Sequence, residues 1–429
     1  MAMWSVVRQG NGMSQGPDLS KLRERFPSLS RTLGGRPCVF ADAPGGTQVP
    51  DEVVQAMARY LRSKNANEGG AFLTSQETDE LIVEARVAGA DLVGGDPGEV
   101  VFGANMTTLN FALSRTLARH LGPGDEVVVT VLDHDASVAP WLSAARERGA
   151  EVRWVDVHSA DCTLDLTSLD TALGPRTRIV AFTLASNSVG TITAAREVVE
   201  RSRAVGAIVV ADAVHYAQHR AIDVRSLGVD VLFCSAYKFF GPHLGLMWAR
   251  RDHLDAWESY KVRPAPDEAP ERWETGTLNH EGLAGLVAAV GYLADVGRIF
   301  GDPPKGDRRS AVVAGMEAIR AYEGGLGAQF LEAVSELPEV RLFGISDVER
   351  ANERTPTFAV RVGGRQPREV AAELGRRGIF VWDGNYYALA IMERLGLEAS
   401  GGAVRVGFCH YATAEEVDRV IEELRDLSG

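Results

Sequence analysis

The chain has 429 residues, of which 45% are hydrophobic and 24% charged, and 58 acidic against 45 basic residues give a formal net charge of −13. This composition is that of an ordinary globular protein and excludes disordered and fibrous classes. The acidic excess argues against nucleic acid as a partner, because phosphate binding requires a basic face. The four cysteines are too few for a disulfide framework, and no CxxC pair or Cys/His cluster indicates a metal site.

The apolar runs are short, and the run at 127–132 (VVVTVL) is strand-sized and far too short to span a bilayer. Residues 1–18 carry one arginine and no long apolar core, so they are predicted to form a flexible tail rather than a signal peptide. We therefore expect a cytoplasmic protein with no membrane partner.

Strands and helices alternate along the first part of the chain. The strands are apolar throughout, which is typical of a mainly parallel sheet covered by helices on both faces. Strands are predicted at 99–103, 126–132, 151–155, 178–184, 207–211, 229–234 and 245–249, and helices at 107–120, 136–149 and 194–204.

The composition changes after about residue 262, where a proline-rich loop (RPAPDEAPER) precedes two long helices. The pattern beyond them predicts a small α/β domain, with strands at 339–343, 356–361, 379–382 and 403–408 and helices at 367–377 and 414–427. The predicted division is a tail at 1–18, a segment at 19–41 that packs on the small domain, a large domain at 42–300 and the small domain at 301–429.

Two charged residues follow buried strands of the large domain. Asp212 ends the strand AIVVA-D, and Lys238 follows the strand that leads into Ser-Ala-Tyr-Lys. Open α/β sheets bind ligands at the carboxyl ends of their strands, so both side chains are expected at a ligand site. Taken singly, Asp212 as a helix cap and Lys238 in a surface turn are adequate readings, but the pair together with Ser235 and aromatic neighbours favours a functional one.

Pyridoxal phosphate (PLP) is the cofactor that requires this pair. The lysine amine forms a Schiff base with the cofactor aldehyde, and the aspartate keeps the pyridine nitrogen protonated so that the ring withdraws electrons.

With these motifs in order, residues 20–427 resemble the class V aminotransferase group of fold-type I PLP enzymes, and within it the cysteine desulfurase and selenocysteine lyase branch. The resemblance implies a fold-type I PLP-dependent transferase fold, with a mainly parallel sheet in a PLP-binding large domain and a smaller α/β C-terminal domain. It also implies an amino-acid substrate and catalytic roles for Lys238, Asp212 and His134.

The resemblance assigns the cofactor phosphate to the start of a helix. Asn105, Met106 and Thr107 occupy the phosphate turn, although the family usually has Gly-Thr-Thr there, and free backbone amides at a helix N-terminus bind anions. Simple capping by Asn105 or Thr107 is the alternative. Ser235 resembles the second phosphate ligand, and Tyr237 stands where the desulfurases often have histidine.

Three further residues match positions around the cofactor ring. His134 matches the imidazole that stacks on the ring and moves protons, and a surface-loop histidine is the alternative. Asn187 matches an asparagine near the phenolic oxygen. His215 matches a glutamine or histidine that bonds the same oxygen, and a histidine packed against the sheet is the other reading.

Thr277 resembles the residue that reaches the phosphate of the neighbouring subunit, which implies a homodimer with a shared active site; a loop threonine is the alternative. Arg405 matches the arginine that binds the substrate α-carboxylate, for which a guanidinium fork is suited. A strand-end salt bridge is its alternative.

The family pattern breaks where desulfurases have the nucleophilic loop cysteine. Tyr387 falls at that place, and a phenol, with an ordinary pKa of about 10, forms no persulfide. Trp382, Tyr386 and Tyr387 instead predict an aromatic wall for a substrate side chain larger than that of cysteine. Alternation on a regular strand would put Cys409 on the same face as Arg405, and a buried cysteine is the commoner outcome.

The sequence therefore predicts a PLP enzyme in which Lys238 acts as the base at Cα. A desulfurase-like β-lyase without a persulfide-forming cysteine comes first, an aminotransferase second and an amino-acid epimerase third. A non-catalytic protein with the PLP fold is a fourth reading, which the intact residue set disfavours.

Overall fold

A computed structural model describes residues 17–303 and 306–429, so the predicted tail lies outside the described residues as far as residue 16. The strands are β1 (Thr32–Leu33), β2 (Arg36–Pro37), β3 (Val39–Phe40), β4 (Val100–Gly103), β5 (Glu126–Thr130), β6 (Glu151–Val155), β7 (Thr177–Thr183), β8 (Ile208–Asp212), β9 (Val231–Ser235), β10 (Gly245–Ala249), β11 (Val340–Phe343), β12 (Thr357–Val362), β13 (Ile379–Phe380), β14 (Trp382–Gly384) and β15 (Ala403–Gly407). The helices are α1 (Asp51–Ser63), α2 (Leu73–Val93), α3 (Met106–Ala118), α4 (Ala139–Arg148), α5 (Leu166–Ala172), α6 (Ala195–Ala204), α7 (Val224–Leu227), α8 (Arg251–Ala256), α9 (His280–Phe300), α10 (Arg308–Ser335), α11 (Pro367–Arg376), α12 (Leu389–Arg394) and α13 (Ala414–Ser428).

The large sheet has seven strands in the order β4-β10-β9-β8-β7-β5-β6. The predicted mainly parallel sheet is confirmed, with one exception: β10 runs antiparallel to both of its neighbours, β4 and β9. The link between β9 and β10, residues 236–244, is too short for the crossover that a parallel pair requires, so β10 turns back beside β9.

Both faces of this sheet are covered, which explains the unbroken apolar strands. Val127 and Val129 of β5 join a hydrophobic cluster with Leu113 of α3 and Trp141 of α4. Val128, which lies between them, joins the cluster on the opposite face, together with residues of α2 and α9. Because successive side chains of a strand point to opposite faces, every position of such a strand is apolar.

The C-terminal part contains a second, four-stranded antiparallel sheet in the order β11-β12-β15-β14. The single strand predicted at 379–382 is wrong in one respect: it divides into β13, which pairs in parallel with β3, and β14, which pairs with β15. Val39 of β3 also lies in the hydrophobic cluster of this second sheet, and Arg23 forms an ion pair with Glu416 of α13 at 2.8 Å. The exact domain boundaries stay a prediction.

Helices α9 and α10 cross at two glycines. A Cβ atom on Gly297 would overlap the carbonyl oxygen of Ala311, and one on Gly315 would overlap the carbonyl oxygen of Leu293. In the described ranges, α9 is the one helix with the length and apolar composition to cross a bilayer, but 56% of its apolar window is buried in the fold. Core helices of globular proteins have the same properties, so this feature gives little support to a membrane span.

The parallel strands of the large sheet bring the predicted site residues of the large domain toward one edge. In the register of the sheet, Thr183 of β7 lies beside Asp212 of β8, and Asp212 lies beside Phe233 of β9. The segments that follow β5, β7, β8 and β9 all leave the sheet at this carboxyl edge, and α3 begins there after β4. Ligands bind at this edge in open α/β sheets.

Candidate active site

A cavity of about 1080 Å³ opens between the carboxyl edge of the large sheet and the second sheet. Of the predicted site residues, it is lined by Thr107, His134, Asn187, Tyr237, Lys238, Trp382, Tyr386, Tyr387 and Arg405. A narrow inner pocket beneath it adds Met106, Asp212, His215 and Ser235. The two predicted residues outside both linings are Asn105 and Thr277.

Lys238 lies in the turn after β9, and its side chain is almost fully buried. Its Nζ donates a hydrogen bond to the carbonyl oxygen of Pro44. Burial and the positive charge of Arg405 lower the pKa of Lys238 to about 7, against the opposing effect of Asp212. Near neutral pH the amine is therefore partly unprotonated, the form that attacks a carbonyl carbon.

Asp212 is the last residue of β8 and caps no helix; its carboxylate is held by two donors. Ser137 Oγ donates to Oδ2 at 2.6 Å, and the Val214 amide donates to Oδ1 at 2.7 Å. Burial raises the pKa of Asp212, while the two hydrogen bonds and the charge of Lys238 oppose that rise. Sequence reasoning missed Ser137; its only signal was its position in the same loop as His134.

His134 has a defined tautomer. Its Nδ1 accepts a hydrogen bond from the Ala136 amide at 3.0 Å, so the proton of the neutral ring is on Nε2. Burial and the charges of Lys238 and Arg405 lower the pKa of His134 to about 3. The imidazole can therefore donate from Nε2 at neutral pH, but it does not accept a proton at Nδ1 while that bond persists.

The start of α3 is capped by Asn105, whose Oδ1 accepts from the Thr108 amide at 2.9 Å. The alternative reading of simple capping therefore describes the Asn105 side chain. The Met106 amide donates to Ser235 Oγ at 3.2 Å, and Thr107 lines both the cavity and the inner pocket. Together they place a helix N-terminus and a hydroxyl at one end of the pocket, which is a suitable environment for an anion.

Arg405 lies in the middle of β15 and is buried, with its guanidinium 4.4 Å from the centre of the Tyr386 ring. One nitrogen donates to the Asn187 carbonyl oxygen at 2.9 Å, while Nε has no partner within the described part of the chain. Burial lowers the pKa of Arg405 to about 10. It forms no ion pair with any described carboxylate, so the predicted alternative of a strand-end salt bridge does not hold.

Tyr386 and Tyr387 follow β14 with φ angles of +56° and +57°, which side-chain-bearing residues rarely adopt. The segment is bound to the large sheet: Asn187 Nδ2 donates to the Tyr386 carbonyl oxygen at 3.1 Å, and the Asp135 amide donates to that of Tyr387 at 2.6 Å. The Tyr387 ring stacks on His134 at 5.6 Å and an interplanar angle of 27°. These contacts hold the tyrosine pair over the cavity.

Trp382 stands at the mouth of the same cavity, and its side chain is half exposed. Trp382, Tyr386 and Tyr387 all line this cavity, and their predicted contact with a substrate side chain stays a prediction. Asn385 supports this part of the lining, because its side chain donates to both carboxylate oxygens of Glu398 at 3.0 and 3.2 Å.

All four cysteines are free and buried, and none lines the cavity. The strand β15 ends at Gly407, so the regular strand on which Cys409 would share the face of Arg405 does not reach Cys409, and the commoner outcome of a buried cysteine holds. Burial raises the pKa of the Cys409 thiol well above its ordinary value. Residues 17–303 and 306–429 also contain no group of three or more His, Cys, Asp or Glu side chains arranged to hold a metal ion.

The residues present fit PLP. Three buried polar atoms that line the site have no partner within the described ranges: Asn187 Oδ1, His215 Nδ1 and Arg405 Nε. Buried polar atoms are normally hydrogen-bonded, so a polar ligand bound in the cavity is the expected partner of these three. With the anion-binding end of α3, the buried amine of Lys238 and the carboxylate of Asp212, they match a phosphorylated aldehyde with a basic ring nitrogen.

Comparisons with known proteins identify the family of this chain. The family model described as aminotransferase class V matches residues 39–299 and 311–420. A cysteine desulfurase of Pectobacterium carotovorum is 28% identical over 95% of this chain and 98% of its own, and a probable cysteine desulfurase of Mycobacterium leprae is 32% identical over 94% and 95%. The structure of a cysteine desulfurase from Thermococcus onnurineus superposes with a TM-score of 0.83 at 25% identity, covering 97% of this chain and 99% of that one.

The fold is thus that of a fold-type I PLP-dependent enzyme. The chain belongs to the class V aminotransferase family and is similar to its cysteine desulfurases. Members of this family use PLP, act on amino acids and are often dimers.

Proposed function

We propose that this chain is a PLP-dependent β-lyase that releases the β-substituent of an amino acid without forming a protein persulfide. The observation that carries the proposal is one cavity that joins the buried Lys238, the buried guanidinium of Arg405, which forms no ion pair with a described carboxylate, and the aromatic side chain of Tyr387, with no thiol among its lining residues.

Each residue has a role that follows from its surroundings. The start of α3 and Ser235 would hold the cofactor phosphate, while Asp212 would pair with the ring nitrogen. When bound, PLP supplies an electron sink that stabilises negative charge at the substrate Cα. Arg405 binds the α-carboxylate and orients the Cα–H bond toward Lys238, whose lowered pKa suits the removal of that proton near pH 7.

The absence of a thiol in the cavity favours elimination over desulfuration. A desulfurase transfers a sulfur atom to a cysteine thiolate, and therefore needs that nucleophile at the substrate. In β-elimination the substituent leaves with the bonding electron pair and takes up a proton, and the remaining amino acrylate adds water to give pyruvate and ammonia. That reaction needs no acceptor thiol.

An aminotransferase is the second candidate, because the class V family model covers most of the chain. Both reactions share the removal of the Cα proton and use the same residues. The two reactions differ in the step that follows: in the β-lyase a substituent leaves Cβ, whereas in the aminotransferase a proton is added on the cofactor side.

Product analysis on a panel of amino acids tests the proposal. We expect pyruvate and ammonia in equal amounts with the released substituent, and loss of both products and of the yellow colour in Lys238→Ala. Lys64→Ala, at an exposed lysine after α1, serves as the control and should retain both. A keto acid that retains the substrate side chain as the product would favour the aminotransferase. A colourless wild-type protein that binds no PLP would contradict the proposal that the chain is a PLP-dependent enzyme.

We also infer a homodimer in which Thr277 acts on the neighbouring subunit. Thr277 is exposed and lies outside the cavity of its own chain. Its loop is fixed close by, since Glu274 accepts two hydrogen bonds from the buried Arg86 at 3.0 and 2.9 Å. An exposed loop that is anchored in this way suits a contact with a second copy.

A further inference from the structure

His215 is buried between the two sheets, and its two ring nitrogens have different surroundings. Nε2 lies 3.0 Å from Oγ1 of Thr357, the first residue of β12, and 3.2 Å from Oγ1 of Thr355, two residues before it. Nδ1 has no partner within the described part of the chain, although His215 lines the inner pocket together with Asp212 and Lys238. The hydroxyls therefore come from one sheet and the pocket from the other.

The hydroxyl hydrogens determine the position of the ring proton. Thr355 Oγ1 donates its hydrogen to the Gly190 carbonyl oxygen at 3.3 Å. Thr357 is fully buried, and among the described residues the only hydrogen-bond partner of its hydroxyl is His215 Nε2. If the Thr357 hydroxyl donates to Nε2, that nitrogen is an acceptor, and the single proton of the neutral ring is on Nδ1. The opposite tautomer would let Nε2–H donate to Thr355 Oγ1, but it would leave the buried Thr357 hydrogen without an acceptor among the described residues.

The ring stays neutral under ordinary conditions. Burial lowers the pKa of His215 well below its ordinary value, and the nearby His219, Lys238 and Arg405 lower it further. Glu323 is bound to His219 Nδ1 at 2.7 Å, and Asp212, which lines the same inner pocket as His215, accepts hydrogen bonds from Ser137 and the Val214 amide. His215 therefore presents a neutral ring with one defined tautomer to the inner pocket.

We propose that Thr357 is a positioning residue that holds His215 as an Nδ1–H donor toward the inner pocket. The identity of the acceptor rests on the proposed function: it is the phenolic oxygen of PLP. The family has a glutamine or a histidine at this position. A glutamine amide always has N–H donors, whereas Nδ1 of a neutral histidine is a donor only if Nε2 is kept as an acceptor. Thr357 supplies that condition from the neighbouring sheet.

The tautomer is measurable without the cofactor. Ring ¹⁵N shifts of histidine-labelled protein, with the His215 signals assigned from their loss in His215→Gln, should show a protonated Nδ1 and an unprotonated Nε2. Thr357→Val should reverse this pattern, because Nε2–H then donates to Thr355. Thr357→Ser, which retains the hydroxyl, and the matched variant Thr355→Val should leave it unchanged. A protonated Nε2 in the wild type, or no reversal in Thr357→Val, would overturn the proposal.

The second measurement is the pH midpoint of the visible absorption band of bound PLP. A donor at Nδ1 stabilises the deprotonated phenolic oxygen, so its loss in Thr357→Val should raise the midpoint by about one pH unit. Thr355→Val should not move it. A reversed tautomer with an unmoved midpoint would refute the phenolic oxygen as acceptor. A protein that binds no PLP would contradict the proposed function alone, since the ¹⁵N measurement on the unloaded protein still decides the tautomer.

Discussion

Residues of the site divide into those that the sequence could reveal and those that only the fold brings in. Asp212 and Lys238 were predictable because each follows a buried strand, and parallel strands end at one edge. Ser137 and Thr357 were not, because a hydroxyl that supports a distant side chain leaves no local pattern. The tautomer of His134 likewise depends on a backbone amide two residues away, which only the loop conformation places.

Lys238 should show the reactivity of an amine with a pKa of about 7. The amine is cationic below this pH and nucleophilic above it, so the rate at which the apoprotein binds PLP should rise with pH up to about 7 and then level off. With an ordinary lysine, the rate of PLP binding would continue to rise about tenfold per pH unit up to about pH 10.4. Stopped-flow absorbance across this range makes the measurement, and a rate still rising steeply above pH 9 would contradict it.

Tyr387 should select for large substrate side chains. Tyr387 lines the cavity and is 73% exposed, so a substrate side chain packed on its ring would bury apolar surface. Tyr387→Ala should lower kcat/KM for amino acids with large β-substituents roughly tenfold, the equivalent of about 1.4 kcal/mol, and spare small ones. Tyr260→Ala, at an exposed tyrosine outside the cavity, is the control. Equal losses for large and small substrates would count against this selection.

At the level of elements, apolar strands and amphipathic helices were predictable from their periods, while pairing was not. The direction of β10 follows from the short link between β9 and β10, whereas the apolar pattern of a strand carries no information about its direction. The split of 379–384 into β13 and β14 depends on two separate pairing partners, β3 and β15, that lie far away in sequence. Local pattern therefore gives the existence of an element, and distant partners decide its place.

The crossing of α9 and α10 should depend on Gly297. A methyl group there would collide with the Ala311 backbone, so Gly297→Ala should lower the free energy of unfolding by about 1–3 kcal/mol. Gly291→Ala in the same helix meets nothing within 4 Å and should be neutral or stabilising, because alanine favours a helix by about 1 kcal/mol. Chemical denaturation measures both, and equal effects would show that the close approach is unimportant.

Over the whole molecule, the resemblance seen in the sequence is confirmed by a family match that runs from residue 39 to residue 420 with one gap. The homodimer, the cytoplasmic location and the absence of nucleic-acid partners stay predictions. The proposed shared active site rests on the resemblance at Thr277 and on the position of this residue outside its own cavity, and it would make the dimer a requirement for activity.

Mixed dimers test the shared site. One chain carries Lys238→Ala and the other carries Thr277→Asp, whose carboxylate would repel the cofactor phosphate. Their heterodimer should contain one intact site and so recover activity that neither parent has. Lys238→Ala combined with Asp212→Ala is the control, because both residues serve the same chain's site and no intact site results. Activity in the first mixture no higher than in the second would mean that each chain forms its site alone.

The central claim is that an amino acid is cleaved at Cβ without transfer of sulfur to the protein. The intact mass of the PLP-loaded protein, followed during turnover of a sulfur-containing amino acid, tests it most directly. The account predicts steady formation of pyruvate while the protein mass stays unchanged, with all four cysteines buried and unmodified. A mass increase of one or more sulfur atoms that appears with turnover and disappears on reduction would contradict it.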